Sequence, residues 1–141
     1  GDSRWIHRPK MQWEFLDELS CELDEETQQC IRSQQASIRV RIFNSTKKLI
    51  ALRKDLPALR GQNMEIVETG SPHILAYIRV SEGNRLIVLA NFSEETQHVD
   101  GNKLRTTGMG RFFEDVIEGT QYCTSEPVEV LPYQILWLQR V

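Results

Sequence analysis

Apolar residues along this chain follow two periods, and the change between them falls near residue 60. Ile38, Ile42, Leu49, Leu52 and Leu56 recur near helical spacing, with Phe43 and Ile50 widening the stripe. Arg39, Arg41, Lys47, Lys48, Arg53 and Lys54 take the other faces. Arg53 and Lys54 stand where cations favour a helix C-terminus, and Pro57 ends the helix. Upstream, residues 13–23 read as a short acidic helix, with Asp24-Glu25-Glu26-Thr27 as a cap or break. Residues 1 to about 12 show no period, and Pro9 disfavours helix before it, so an extended loop is expected there.

From Asn63 onward the pattern becomes strand-like. Residues 64–68, 73–80 and 85–92 are short runs rich in Ile, Val, Leu and Tyr, separated by Ser71-Pro72 and by Glu82-Gly83-Asn84. Residues 97–99, 114–117, 121–123, 128–131 and 133–139 continue the series, with a hairpin turn at Gly119-Thr120. Many short strands without intervening helices predict an antiparallel β-sandwich. Helices come first and the sheet second, so the class is α+β by segregation, with residues 1–60 as loop and helices and 61–141 as sandwich. Alternation along the strands predicts one inward-facing core of Ile74, Ala76, Ile78, Leu86, Val88, Ala90, Phe92, Val116, Ile135 and Trp137. Tyr133 and Trp137 share a face with Ile135 and read as core rather than as a sugar-stacking platform.

Composition narrows the function classes. Hydrophobic residues at 40% and charged residues at 26% give ordinary globular material for a core. The net charge is −3 and basic residues are scattered, apart from Arg4, His7, Arg8 and Lys10, which excludes a nucleic-acid partner. No apolar run is long enough for a membrane span, and no signal peptide is visible. Cys21, Cys30 and Cys123 form neither a disulfide framework nor a zinc motif, and read as free thiols in a reducing cytoplasm. His7, His73 and His98 lie too far apart for a metal motif, and Gly108-Met109-Gly110 reads as a flexible turn. Asn44-Ser45-Thr46 and Asn91-Phe92-Ser93 fit the glycosylation sequon but fall in predicted regular structure, so both are expected to be unmodified. The chain opens on Gly1-Asp2-Ser3 without a Met, so it is expected to be a piece of a longer protein.

Four segments, in order, carry a resemblance. Residues 49–60 (LIALRKDLPALR) resemble the "LIxLRKxxPAL" helix that closes the catalytic barrel of the alpha-amylase family, glycoside hydrolase family 13. Residues 85–93 (RLIVLANFS) resemble its "LVxxNFS" strand, 114–119 (EDVIEG) its "DLIxG" turn, and 131–138 (LPYQILWL) its final "LxPYxxxWL" strand. Asp2-Ser3-Arg4-Trp5-Ile6-His7-Arg8-Pro9 further resembles the "SRWxHRP" segment of amylosucrases and their sucrose-hydrolysing relatives. The resemblance implies a parent enzyme that transfers glucose from sucrose to an α-glucan, with no cofactor. It implies that this chain supplies the end of the (β/α)₈ barrel and the β-sandwich after it. The sequence leaves open a sucrose hydrolase, or a free-standing carbohydrate-binding or interaction sandwich.

A retaining glycosidase needs two carboxylates about 5–5.5 Å apart, held at the C-terminal ends of barrel strands. The chain would begin after those strands, so no catalytic residue is expected. Asp17, Glu18, Glu22, Asp24, Glu25 and Glu26 read as a solvated helical face, Glu94-Glu95 as loop, and Asp115 and Glu118 as flanks of a turn. By resemblance, Arg4, His7 and Arg8 are the candidate substrate-binding residues, on a loop following the last barrel strand. Arginine suits sugar hydroxyls through its planar fork of donors, although an interdomain salt bridge would use it equally well. The expected partners are the parent's barrel and, through it, sucrose and α-glucan. The apolar helical stripe, if left wet, would also drive self-association through residues 13–56.

Overall fold

The computed structural model of the chain describes residues 38–141. Arg4, His7, Arg8 and the acidic residues 17–26 lie outside the described residues. The chain divides into two compact units after Lys47, and the second, Lys48–Val141, holds the sheet. Helix α1 spans Ile38–Asp55, with Arg53 and Lys54 in its last turn, offsetting the negative end of the helix dipole. Pro57 bars Leu56 from helical geometry, and Leu56 is extended at φ −87° and ψ 109°. Leu56 therefore leaves the helical stripe and packs against the sheet. Ile38, Ile42 and Ile50 are exposed, whereas Val40, outside the expected stripe, is buried. Among the described residues no helix is long and apolar enough to cross a membrane.

A 3₁₀ turn, Pro57–Leu59, leads into eight strands: β1 (Asn63–Ile66), β2 (Ile74–Ser81), β3 (Asn84–Asn91), β4 (Gln97–Val99), β5 (Phe112–Asp115), β6 (Gln121–Cys123), β7 (Val128–Val130) and β8 (Ile135–Arg140). Six pair antiparallel in the order β1-β2-β3-β8-β5-β6, and β4 and β7 form a second antiparallel pair. The α+β reading, helix first and antiparallel sheets after, is the observed architecture. The β2–β3 connection is a two-residue hairpin turn. Glu82 and Gly83 both have positive φ, 51° and 79°, between the paired Ser81 and Asn84. Positive φ at both central positions defines the type I′ turn, whose twist suits the flanking strands.

Between β4 and β5 the sequence pattern predicts only a turn, at residues 108–110. The structure places a helical turn there, α2 (Gly101–Leu104), followed by a π turn, Arg105–Met109. Asp100 caps α2 by accepting from the backbone N–H of Asn102 at 2.9 Å. Gly101 is required by close approach, since a Cβ there would collide with the carbonyls of Thr124 and Glu126. The only local signal is Asp-Gly followed by Leu104, and four residues are too few to show a period.

The single predicted core is the one substantial error. Ala76 pairs with Leu89 and Ile78 with Ile87, while Tyr77 pairs with Val88 and Arg79 with Leu86. Leu86 and Val88 therefore stand on the face opposite Ala76 and Ile78. The main core, between the two sheets, joins Ile74, Ala76, Ile78, Ile87 and Leu89 to Val99, Leu104, Phe113, Val128, Val130, Leu136 and Leu138. A second cluster on the outer face holds Ala58, Leu86 and Val88, with Leu56, Leu59, Tyr77, Val116 and Trp137 packed on it. Phe92 and Ile135, both assigned inward, are exposed at 68% and 47%. Strand β3 buries every residue from Leu86 to Ala90, so it has no alternation from which a face could be chosen.

Two motif residues prove to be braces. Asn91 is buried, and its amide donates to the carbonyls of Glu95, Val130 and Leu131 at 2.8, 3.1 and 3.0 Å. Its Oδ1 accepts from the N–H and hydroxyl of Ser93 at 2.9 and 2.8 Å. The side chain thus ties the end of β3 to β7 and to its own loop, and a buried, fully engaged amide leaves no room for a glycan. Asp115 is also buried; its carboxylate accepts from the N–H groups of Trp137 at 2.8 Å and of Ile117 and Glu118 at 3.2 Å. It closes the turn that Gly119 completes with φ 74°.

Two substitutions check this packing. Phe113 is fully buried and Trp137 only half-buried. Phe113→Ala should cost about 3–5 kcal/mol, and Trp137→Ala clearly less, by urea unfolding. An equal or larger loss at Trp137 would contradict the two-cluster arrangement. Asp115→Ala leaves three part-buried N–H donors without their acceptor and should cost about 1–3 kcal/mol by the same measurement. An unchanged midpoint would remove its bracing role.

Candidate functional site: the outer face of the sheet

The outer face is built from three cross-strand rows on β2, β3 and β8. The rows are Arg79–Leu86–Gln139, Tyr77–Val88–Trp137 and Leu75–Ala90–Ile135. Residues 56–61 cover the first two. Ala58 shares one cluster with Leu86 and Val88, on which Leu56, Leu59, Tyr77 and Trp137 pack, and the Arg79 guanidinium donates to the Gly61 carbonyl. The third row is bare at its two flanks, with Leu75 exposed at 43% and Ile135 at 47%, while Ala90 between them is buried. The next step of the register, shown by the Asn91 N–H donating to the Gln134 carbonyl at 3.0 Å, continues the bare surface into Phe92 and Tyr133. Leu75, Phe92, Tyr133 and Ile135 thus form an apolar patch that adjoins a covered cluster. Covering each side chain would gain on the order of 1–2 kcal/mol.

Tyr133 corrects the expectation that it is core, since it is 64% exposed. Leu131-Pro132-Tyr133-Gln134 is a β-turn, with the Gln134 N–H donating to the Leu131 carbonyl at 3.0 Å and Tyr133 at φ 57°. Proline at the second position and positive φ at the third make it type II, a geometry that asks for Gly or Asn where Tyr stands. The left-handed conformation costs a residue with a Cβ about 1–2 kcal/mol. The turn is held shut by the Leu131 N–H, which donates to Gln134 Oε1 at 2.8 Å. The Tyr133 hydroxyl donates to Glu94 Oε1 at 3.3 Å, holding the ring at its far end. Proline before an aromatic is visible in the sequence, but the sign of φ is not.

The chain enters this face directly from α1. The last turn of the helix is tied to residues 56–60 by the Leu56 N–H donating to Leu52 O at 3.0 Å and by Arg60 Nη2 donating to Lys54 O at 2.9 Å. An exposed ion pair, Lys48 to Glu118 at 3.1 Å, joins the helix to the turn after β5. An exposed pair contributes little energy, about 0–1 kcal/mol, so it marks direction rather than strength. The end of α1, residues 48–55, therefore stands beside the outer face, because only Leu56 separates the helix from the covering turn.

Reactive chemistry is sparse among the described residues. Glu94 receives the tyrosine hydroxyl, Glu118 pairs with Lys48, and Asp115 is consumed as a brace. Among the described residues no group of three His, Cys, Asp or Glu could hold a metal. The Cys123 thiol is pulled below its usual range by hydrogen bonding to Ser125, and the Tyr122 hydroxyl is pushed up, first by burial and then by the charges of Asp115 and Glu129. An open groove of about 600 Å³ lies on the other side of the sheet, lined by Glu65, Glu68, Arg85, Lys103 and Thr106. Its cations are already committed, Arg85 to the Thr107 carbonyl at 2.7 Å and Lys103 to the Thr69 carbonyl at 3.0 Å. The bare row remains the more distinctive surface.

Comparison with known proteins places the chain in a family. The maltogenic amylase C-terminal domain family matches residues 64–137, just over half of the chain. The alpha-1,4-glucan:maltose-1-phosphate maltosyltransferase of Picrophilus torridus is 30% identical over 94 residues, covering 60% of this chain and 15% of that protein. Among solved structures, an AmyP variant in complex with maltotriose superposes with a TM-score of 0.57 at 13% identity, covering 66% of this chain and 19% of that one. AmyP in complex with maltose gives 0.54 at 14% identity, with 65% and 19% covered. The chain thus spans less than a fifth of the relatives it matches. The family match and the antiparallel sandwich agree: the chain belongs to the maltogenic amylase C-terminal domain family of alpha-amylase-type enzymes.

Proposed function

We propose that the chain is the non-catalytic C-terminal part of an amylosucrase-like enzyme and that its outer sheet face holds the parent's catalytic barrel. The bare apolar row beside a helix that runs into the sheet without a linker is the observation that carries the docking reading. Family membership supports a glucan-active parent, and the maltosyltransferase relative bears the name of a transferase. The finer assignment to sucrose rests on the resemblance of residues 2–9, with Arg4, His7 or Arg8 lining the sucrose pocket. The free Cys123 thiol suits a reducing, cytoplasmic setting.

Two measurements test this. The purified chain given sucrose should release no fructose above buffer, while the parent polypeptide should release fructose and lengthen an α-glucan. Turnover by a parent of maltodextrin or maltose 1-phosphate, with none of sucrose, would replace the substrate and keep the domain's role. Ile135→Lys, at an exposed position, should weaken assembly with a separately produced barrel at least tenfold and leave the chain's unfolding midpoint nearly unchanged. Unaltered assembly would remove the docking reading.

A further inference from the structure

We propose that Tyr133 is the anchor of the docking face, held in a strained backbone so that its ring is presented to the catalytic barrel. The inference rests on the docking reading above and adds a residue and a mechanism to it. The strain is specific to this turn. Glu82, the other non-glycine residue with positive φ among the described residues, sits in a hairpin turn whose type demands it at both central positions. At Tyr133 the type II turn would be met more cheaply by Gly or Asn, and the bulky ring gains nothing from burial because it is mostly exposed. A residue kept where it costs folding stability, at an exposed position, points to use in binding.

The surroundings favour a protein partner over a saccharide. Leu75 and Ile135, in the neighbouring row of the same face, are aliphatic, and Phe92, at the next step of the register, is 68% exposed. Of the nearby polar groups, Asn91 and Ser93 are engaged with each other and with backbone and Glu94 with the Tyr133 hydroxyl itself, while His73, across from Phe92, is an exposed imidazole at the edge of the patch. A sugar ring would need free donors and acceptors at the rim of its stacking surface. A protein surface needs an aromatic anchor with a preset rotamer, which the turn and the Glu94 contact provide at low entropic cost. The patch continues the cluster already covered by Leu56, Ala58 and Leu59, and the relatives carry more than four-fifths of their length outside the matched region, so the occupant is the barrel of the same parent.

The test compares the 141-residue chain with Tyr133→Asn, Tyr133→Gly and Tyr133→Phe, measuring both thermal unfolding and affinity for the separately produced remainder of the parent polypeptide. Tyr133→Asn should raise the unfolding midpoint by about 5 °C, because it relieves the strain without the unfolded-state entropy that glycine adds. Tyr133→Gly should raise it less. Both should weaken assembly at least tenfold, while Tyr133→Phe keeps most of it. Weakened assembly after Ile135→Lys with none after Tyr133→Asn would overturn the anchor and leave the docking face standing. No effect from either would overturn both. Shifts of the Tyr133 ring resonances on titration with maltoheptaose, with assembly unaltered by Tyr133→Asn, would overturn the anchor in favour of a sugar platform.

Discussion

Burial of β3 on both faces is the constraint on which the rest of this unit depends. Five consecutive apolar residues, Leu86 to Ala90, need cover above and below. The inner side is closed by the β4–β7 pair and by Leu104 of α2, which together contribute Val99, Val128 and Val130 to the main core. The outer side is closed by the short segment after α1. A strand that must be dry on both sides cannot stand at an edge, and it lies in the interior of the sheet between β2 and β8.

Unequal closure of the two sides gives the domain its functional polarity. The inner core is complete and is sealed by two buried polar braces, Asn91 and Asp115, each satisfied by backbone partners. Such groups are costly if any partner is missing, so they fix one arrangement of the loops rather than adding bulk stability. The outer cluster is complete over two rows and open over the third. That step from covered to bare surface is the observation on which the proposed docking rests.

The motifs that betray the family have physical reasons that contain no catalysis. The Asn of the "NFS" strand is the brace of the β3 loop, and the Asp of the "DVIEG" turn satisfies three backbone donors beside Gly119. Leu, Pro, Tyr and Gln of the last motif form the type II turn that starts β8. These residues can recur in enzymes of differing specificity, because turn geometry and brace chemistry are indifferent to the substrate.

The sequence by itself determined where along the chain the strands lie, to within about two residues, because β-branched runs and Gly, Pro and Asn breaks act locally. It also located the end of α1 to within one residue, since Pro57 removes Leu56, expected in the stripe, from the helix. Only tertiary structure decided which face each residue joins. Leu86 and Ile87 are chemically alike, and a continuous apolar strand carries no phase; pairing with Arg79 and Ile78 supplies it. Tertiary structure likewise decided that Tyr133 and Phe92 are exposed, since the aromatic content of a strand end is the same whether or not a second layer reaches it. The docking face was therefore invisible as a pattern: it exists where the cover from residues 56–61 stops one row short.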